Sequence, residues 1–362
     1  MRMTIASRSS LIAPAVVALA CASAPGRPES SWPQQVAFEF ARVPDTVPTR
    51  WMGLIGEYGA DSAKRWYTLE QQGRLWILDH QGNYVPLSEK SDSVFEAPLA
   101  TAAVAGEVRF RRDADGRGLS VQVGDLVQPR RNIEPAPGET QMRVTPRRPI
   151  EELRVEALKA TPPVETGEFR TSELVDVTAL DSTIRLDIRY ASENNFLGAK
   201  MYEQPRALLQ RPAAEALARA NRVLRPLRYT LLVHDAYRPW YVTKIFWDAT
   251  PDSARWLVAN PAQGSKHNRG AAVDVTLYDL ENNKVVDMPS TYDETSTRAR
   301  ADYPGGTALQ RYHRGLLRRV LEHEGFTVNP LEWWHFDYKD WRTYPLGNLA
   351  FEQIPTVAAT GR

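Results

Sequence analysis

The chain has 362 residues, with 45 Lys and Arg against 44 Asp and Glu, and 43% of its residues are hydrophobic. This length exceeds that of one ordinary domain, so we expect two domains. The near-neutral charge argues against nucleic acid as an electrostatic partner. A lone cysteine, Cys21, excludes an internal disulfide framework and a thiolate metal site in the folded body. Any bound zinc would therefore use imidazole and carboxylate ligands.

Residues 1–24 are predicted to be an export signal. Arg2 and Arg8 supply positive charge before an apolar run at 11–20, and that run is too short to span a bilayer. Small residues precede Cys21, as in a bacterial lipoprotein signal, although Ala18 stands where leucine is usual. We expect an exported, periplasmic protein that is soluble or attached to a membrane by a lipid on Cys21. A retained signal anchor is a third alternative.

Residues 32–131 are predicted to form a small antiparallel β domain. Short β-like runs at 66–70 and 74–78 flank Gly73, and two more at 107–110 and 119–123 flank Gly116. This stretch contains no catalytic constellation, so we interpret it as an accessory domain. Residues 132–165 are rich in Pro, Arg and Glu and are predicted to be a linker that buries little, with a helical turn near 151–160.

Residues 166–362 mix strand-like and helix-like segments, which predicts an α+β domain. Apolar runs at 174–177, 184–190, 228–234 and 326–328 favour strands, as does the aromatic run at 331–338. Helices are predicted at 212–224, 252–258 and 315–324. His313 and His323 lie on or beside the last helix, and we interpret them as solvated or capping groups.

His267 and Asp274 form one half of a predicted metal site. Alternation along the strand after Ala271 places Val273 and Val275 on a core face and Asp274 on the other. His267 can meet Asp274 if Gly270 turns the chain.

His335 is the natural third ligand, since it stands in an otherwise apolar strand; a core histidine satisfied by a neighbour is the alternative. Two imidazoles, one carboxylate and an open position describe a catalytic metal site. Glu332 could serve as general base if the turn at 329–330 brings it to the strand entrance, whereas a surface glutamate is the alternative. Arg238 could hold an oxyanion or could be a structural arginine. His234 and Asp235 could also be ligands, but they are adjacent in sequence, and we interpret them as braces of the Arg238 loop.

Four motifs in order resemble the VanX-type zinc D-alanyl-D-alanine dipeptidases, whose fold is similar to the hedgehog signalling domain. They are Asp-Ile-Arg-Tyr with Asn-Asn-Phe, then Asp-Ala-Tyr-Arg-Pro, Ser-Lys-His-Asn-Arg-Gly-Ala-Ala-Val-Asp and Glu-Trp-Trp-His. The resemblance covers about residues 172–341. It implies a single Zn²⁺ on His267, Asp274 and His335, Glu332 as general base, and Arg238 as stabiliser of the tetrahedral intermediate.

The same resemblance implies how substrate is held. The segment 288–293 is similar to the one whose aspartate binds the free amino group, which assigns that role to Asp293. Tyr292 stands where the family usually has Phe, and it is predicted to bind substrate, as is Ser265 in the same pocket. An ammonium-binding carboxylate would restrict peptide length at the amino side.

The expected activity is therefore hydrolysis of D-Ala-D-Ala in the recycling or catabolism of cell-wall peptides, and no obligate protein partner is evident. A peptidoglycan D,D-carboxypeptidase is the first alternative. A catalytically inactive muropeptide-binding module is the second.

Overall fold

In a computed structural model of the protein, residues 32–98, 104–133 and 143–355 are described. The predicted export signal with Cys21, and residues 134–142 of the predicted linker, lie outside these ranges. Within the described ranges, no helix has both the length and the apolar character needed to cross a membrane.

The first region is built from two antiparallel sheets, as the turn pattern predicts. A short helix, α2 (Thr49–Met52), precedes the strands. The first sheet has the order β1-β2-β3-β4, and its strands are β1 (Gly56–Tyr58), β2 (Trp66–Gln71), β3 (Arg74–Leu78) and β4 (Tyr84–Pro86). The second has the order β5-β6-β7-β8-β9, and its strands are β5 (Ser88–Ser91), β6 (Val94–Ala97), β7 (Gly106–Arg112), β8 (Gly118–Val123) and β9 (Leu126–Pro129). A separate apolar cluster that includes Trp66, Phe95 and Phe110 fills the space between them.

The prediction of β structure from residue 32 onward is wrong for the first stretch. Helix α1 (Trp32–Glu39) occupies it. The side chain of Val36 is buried in the core of the second region, which residues 143–355 form, and not among the strands of the first region. The indole of Trp32 stacks on the imidazole of His323 with ring centroids 3.7 Å apart. Residues 32–40 therefore pack with the second region.

The predicted linker also contributes to that core. Helix α3 (Ile150–Lys159) confirms the expected helical turn, but its apolar face is buried, contrary to the expectation that this stretch buries little. Leu153 and Ala157 are four residues apart, so they share one face of the helix. Both side chains are buried on that face.

The second region surrounds a six-stranded mixed sheet of order β11-β13-β14-β17-β16, with β15 paired to β14. Its strands are β11 (Arg185–Leu186), β13 (Tyr229–Asp235), β14 (Ala272–Asp279), β15 (Lys284–Val285), β16 (Phe326–Asn329) and β17 (Glu332–Tyr338). A two-stranded sheet joins β10 (Leu174–Asp176) to β12 (Leu208–Gln210). The strand predicted at 184–190 is shorter than expected, because a 3-10 helix begins at Arg189.

Helices cover the sheet and complete the core. They are α4 (Val177–Leu180), α5 (Arg211–Leu224), α6 (Trp240–Ala249) and α7 (Ala308–His323). The predicted helix at 252–258 is a 3-10 helix, and α7 begins seven residues before the predicted start, at a capping box formed by Thr307 and Gln310. The chain as described is thus a mixed α/β protein with several sheets.

The solvent-exposed interpretation of His313 is wrong. Its side chain lies on the buried face of α7, with Nε2 3.2 Å from the hydroxyl of Tyr229 and Nδ1 3.3 Å from the carbonyl of Asp287. His323, by contrast, keeps 40% of its side chain exposed.

Candidate metal and substrate site

Three predicted ligands converge on one point. His267 Nε2 lies 3.1 Å from His335 Nδ1, His335 Nδ1 lies 3.0 Å from Asp274 Oδ1, and His267 Nε2 lies 3.4 Å from Asp274 Oδ1. For a tetrahedral ion with ligand bonds of about 2.0–2.1 Å, ligand atoms would lie about 3.3 Å apart. The three atoms thus already have the spacing that one small ion requires, and these residues could hold a metal.

The backbone accounts for this convergence. Asp274 on β14 pairs directly with His335 on β17, so their side chains lie on the same face of the sheet. His267 opens a short 3-10 helix that ends at Arg269, and the capping residue Gly270 has a left-handed φ of 64°, as the predicted turn requires. A Cβ at Gly270 would also approach Leu174 Cδ2 to 2.4 Å, so a larger residue would have to displace that side chain in addition to adopting the strained φ.

The second nitrogen of each imidazole is also occupied. His267 Nδ1 lies 2.6 Å from the carbonyl oxygen of Ala236, and His335 Nε2 lies 2.9 Å from Asp337 Oδ1. With these nitrogens donating, the lone pairs of His267 Nε2 and His335 Nδ1 face the common point, which is the tautomer that a metal ligand needs. The role of Asp337 was missed, although its position two residues after His335 on one strand could have indicated it.

The charges within the cluster are strongly coupled. Burial alone would raise the pKa of Asp274, but the neighbouring His267 and His335 hold it well below its usual range. Burial would lower the pKa of His335, yet its bonds to Asp274 and Asp337 raise it to about 10 in the protein without metal. A metal ion would therefore displace a proton on binding.

Glu332 lies beside the cluster, as predicted. The register of β16 and β17 shifts between Val328 and Asn329, and Glu332 Oε2 then lies 3.8 Å from His335 Nδ1. Asn329 Nδ2 donates to the same oxygen at 2.9 Å. Burial raises the pKa of Glu332, and the nearby His335 opposes that effect. Its side chain keeps 37% exposure, which leaves the carboxylate accessible from the cavity.

Arg238 is buried and held by Asp235. Its Nε and Nη2 donate to Asp235 Oδ2 at 3.0 and 2.7 Å, while Tyr202 donates to Asp235 Oδ1 at 2.8 Å. The guanidinium carbon lies 5.3 Å from the ring centre of Tyr190. These contacts confirm Asp235 as the brace of this loop. They fix the guanidinium on the cavity wall, where it can face a developing negative charge.

Asp293 also reaches the cavity wall. Its Oδ2 accepts a hydrogen bond of 2.9 Å from the hydroxyl of Tyr190, whose part in the site was missed because 103 residues separate the pair. Burial and the charge of Asp274 raise the pKa of Asp293 to about 8. A substrate ammonium would offset both effects and favour the carboxylate.

The cavity has a volume of about 620 Å³. Ser265, His267, Asp274, Asp293, Glu332 and His335 all line it, and so does Arg238. Two exposed apolar side chains, Trp256 and Leu331, also line the cavity. Ser265 is placed as predicted, and its hydroxyl also accepts the His267 amide at 3.2 Å.

Tyr292, which is predicted to bind substrate, is buried and is not among the side chains that line the cavity. Its hydroxyl instead donates to Asp274 Oδ2 at 2.9 Å, and its ring packs against His234 and Trp334. Tyr292 therefore supports a candidate metal ligand from behind.

A ligand trio that fits a metal, with a carboxylate and an arginine at its side, defines the class of hydrolytic metalloenzymes. Comparison with known sequences agrees: the profile of the peptidase M15 family, described as D-ala-D-ala dipeptidase, matches residues 170–353. The chain belongs to this family of peptidases.

Similar proteins carry the same description. A D-alanyl-D-alanine dipeptidase of Escherichia coli is 34% identical over 176 residues, which cover 49% of this chain and 90% of the relative. Proteins of the same name from Enterococcus faecium and Streptomyces coelicolor are 31% and 30% identical, and the matches cover 45% and 47% of this chain and 89% and 93% of the relatives. The first, β-rich region lies outside the family match.

Proposed function

We propose that this protein hydrolyses the dipeptide D-Ala-D-Ala at one zinc ion held by His267, Asp274 and His335. The observation that carries the proposal is the shared cavity, which brings a ligand trio with tetrahedral spacing next to Glu332, Arg238 and Asp293. Zinc is favoured over harder cations because two of the three ligands are imidazoles. When bound, it would polarise the peptide carbonyl and lower the pKa of a water molecule.

The protein's own residues divide the remaining work. Glu332, partly exposed to the cavity beside the ligands, takes a proton from the attacking water and passes it to the leaving amine. Arg238, held rigid by Asp235, stabilises the negative charge that develops on the carbonyl oxygen.

Asp293 supports a dipeptide rather than a longer substrate. Its half-buried carboxylate, next to the hydroxyl of Tyr190, offers a site for one free ammonium group. A peptide that is extended at the amino side would bring a neutral amide to this carboxylate and leave its charge uncompensated. This argument disfavours a D,D-carboxypeptidase, which must accept long stem peptides.

We propose further that the protein is exported to the periplasm by residues 1–24, with Cys21 as a point of lipid attachment. The apolar run before the small residues and the lone cysteine supports this assignment. In that location the activity would recover dipeptides released from the cell wall. The β-rich region that contains β1–β9 would be an accessory domain of the exported enzyme.

The test is an assay of the full-length protein with three readouts: zinc content, hydrolysis of D-Ala-D-Ala, and release of D-Ala from a stem pentapeptide. We expect about one zinc per chain and turnover of the dipeptide only. Glu332→Ala should abolish turnover and retain the zinc, because Glu332 is not a ligand. Near-normal activity of that variant would reject the assignment of the base, and cleavage of the pentapeptide alone would favour a carboxypeptidase.

A further inference from the structure

Glu57 on β1 is a buried carboxylate in the region outside the family match. Its side chain has no exposed surface, and its Oε2 is 3.3 Å from Arg65 Nη1 and also bonded to Arg131. Its other oxygen, Oε1, accepts a hydrogen bond from the hydroxyl of Thr297. A buried charge is thus satisfied on one side by its own region and on the other by the second region.

Thr297 belongs to the cavity wall. It opens a 3-10 helix that ends at Ala299, and it lines the cavity together with Asp293 and Ser296. We call residues 290–306 the substrate loop, because Asp293, the proposed ammonium site, lies on it. The bond from Thr297 to Glu57 therefore ties this loop to the β-rich region.

A second contact holds the far end of the same loop. Glu70, also buried, accepts the amide of Ala308 at 2.8 Å through Oε2, and its own amide donates to Gly306 at 3.1 Å. Arg311 donates to the carbonyls of Glu70 and Gly306 at 2.6 and 2.9 Å. The carboxylate also faces the amino-terminal end of α7, where negative charge is stabilised.

These contacts come from a part of the chain that lies outside the family match. The alignment with the Escherichia coli relative covers 90% of that protein but only 49% of this one. The substrate loop lies inside the family match, at residues 170–353, whereas Glu57 and Glu70 lie outside it.

We infer that Glu57 is a positioning residue for substrate: through Thr297 it fixes the substrate loop, so that the β-rich region sets the affinity of the site for the amino end of the dipeptide. The inference rests on the proposed function of Asp293. The metal ligands lie on β14, β17 and the 3-10 helix that His267 opens, whereas the side chain of Glu57 bonds to Arg65, Arg131 and Thr297. The metal site should therefore not depend on the bond between Glu57 and Thr297.

The first test replaces Thr297 and leaves the β-rich region intact. Thr297→Val removes the hydroxyl at nearly constant volume, and we expect KM for D-Ala-D-Ala to rise about tenfold with kcat changed less than about threefold, since positioning is lost and chemistry is not. Thr297→Ser keeps the hydroxyl and should restore KM. Glu107→Gln, at an exposed pair with Arg109 in the same region, is the matched control and should behave as the unsubstituted protein.

Thr297 lines the cavity and could touch substrate directly. A double-mutant cycle with Glu57→Gln, Thr297→Val and the double variant separates that contact from an effect through Glu57. If the two residues act through their mutual bond, the double variant should have the KM of either single variant. Multiplied effects in the double variant would overturn the inference, as would an unchanged KM in Thr297→Val.

Amide hydrogen exchange provides a readout that needs no turnover. In Thr297→Val, exchange should rise across residues 293–306 and stay unchanged in β17. If the unsubstituted protein fails to hydrolyse D-Ala-D-Ala, the proposed function is rejected. Hydrogen exchange would still test whether the bond between Thr297 and Glu57 fixes the substrate loop. Unchanged exchange across the substrate loop would show that the bond between Thr297 and Glu57 does not fix that loop.

Discussion

The hydroxyl of Tyr292 lies 2.9 Å from Asp274 Oδ2, the carboxylate oxygen that faces away from the two histidines. Its ring is buried between His234 and Trp334, so the hydroxyl has little freedom to turn elsewhere. The bond holds one oxygen of Asp274 and leaves Oδ1 directed at the ligand cluster. A hydrogen bond of this kind to a metal-binding carboxylate orients the ligand.

Tyr292→Phe should therefore weaken metal binding. The loss of one outer bond to a ligand typically lowers metal affinity about 10- to 100-fold, and the ring can keep its packing. Competition with a chromophoric chelator would measure the zinc dissociation constant. Tyr278→Phe, which removes a hydroxyl bonded to Asn283 away from the site, is the control. Equal zinc affinity of Tyr292→Phe and the unsubstituted protein would contradict this role.

Arg238→Lys should lower kcat about 10²- to 10³-fold, the usual effect of removing one oxyanion-stabilising group. Lysine keeps the charge but cannot reproduce the paired donors from Nε and Nη2 to Asp235. KM should change little, because the contact is made in the transition state. Steady-state kinetics on zinc-loaded protein would measure both constants. If kcat stays within about threefold, the arginine has a structural role only.

Asp293→Asn should raise KM for D-Ala-D-Ala about 10- to 100-fold, because losing one partner of a fully buried charge pair costs about 2–5 kcal/mol and this carboxylate is only half-buried. Asp293 has a φ of 58°, and asparagine tolerates this left-handed backbone, so the loop should keep its shape. Asp302→Asn serves as the control, because Asp302 lies on the same loop and 68% of its side chain is exposed to solvent. A normal KM in Asp293→Asn would remove the proposed ammonium site.

His313 should make stability depend on pH. Burial lowers its pKa below the ordinary value of 6.5, against opposing effects of Asp287 and Asp279, while Lys284 adds to the lowering. The unfolded chain then binds the extra proton first, so stability is full above about pH 6.5 and falls as the pH drops toward the folded pKa.

His313→Gln should reduce that loss. Urea unfolding of metal-free protein at pH 7.5 and pH 5.5 would give the free energy of unfolding for both chains, and the difference between pH values should be smaller in the variant. Identical pH dependence in the two proteins would show that His313 does not carry the effect.

The amino-acid sequence was enough to predict the chemistry of the ligands. Asp274 and His335 are polar residues in stretches where apolar residues dominate, and local spacing places His267 and Asp274 on either side of a glycine turn. Glu332 could be placed at a strand entrance because a turn precedes it. Hairpins in the first region were equally local, since their turn residues stand between alternating runs.

Only the tertiary structure decided the partners of these residues. The bonds of Tyr190 to Asp293 and of Thr297 to Glu57 join residues 103 and 240 positions apart, and no local pattern encodes such a pairing. The burial of His313 and of one face of α3 likewise depends on what packs against each helix. Local spacing determines which side chains share a face, whereas the neighbour that meets that face is determined by the packing of the whole chain.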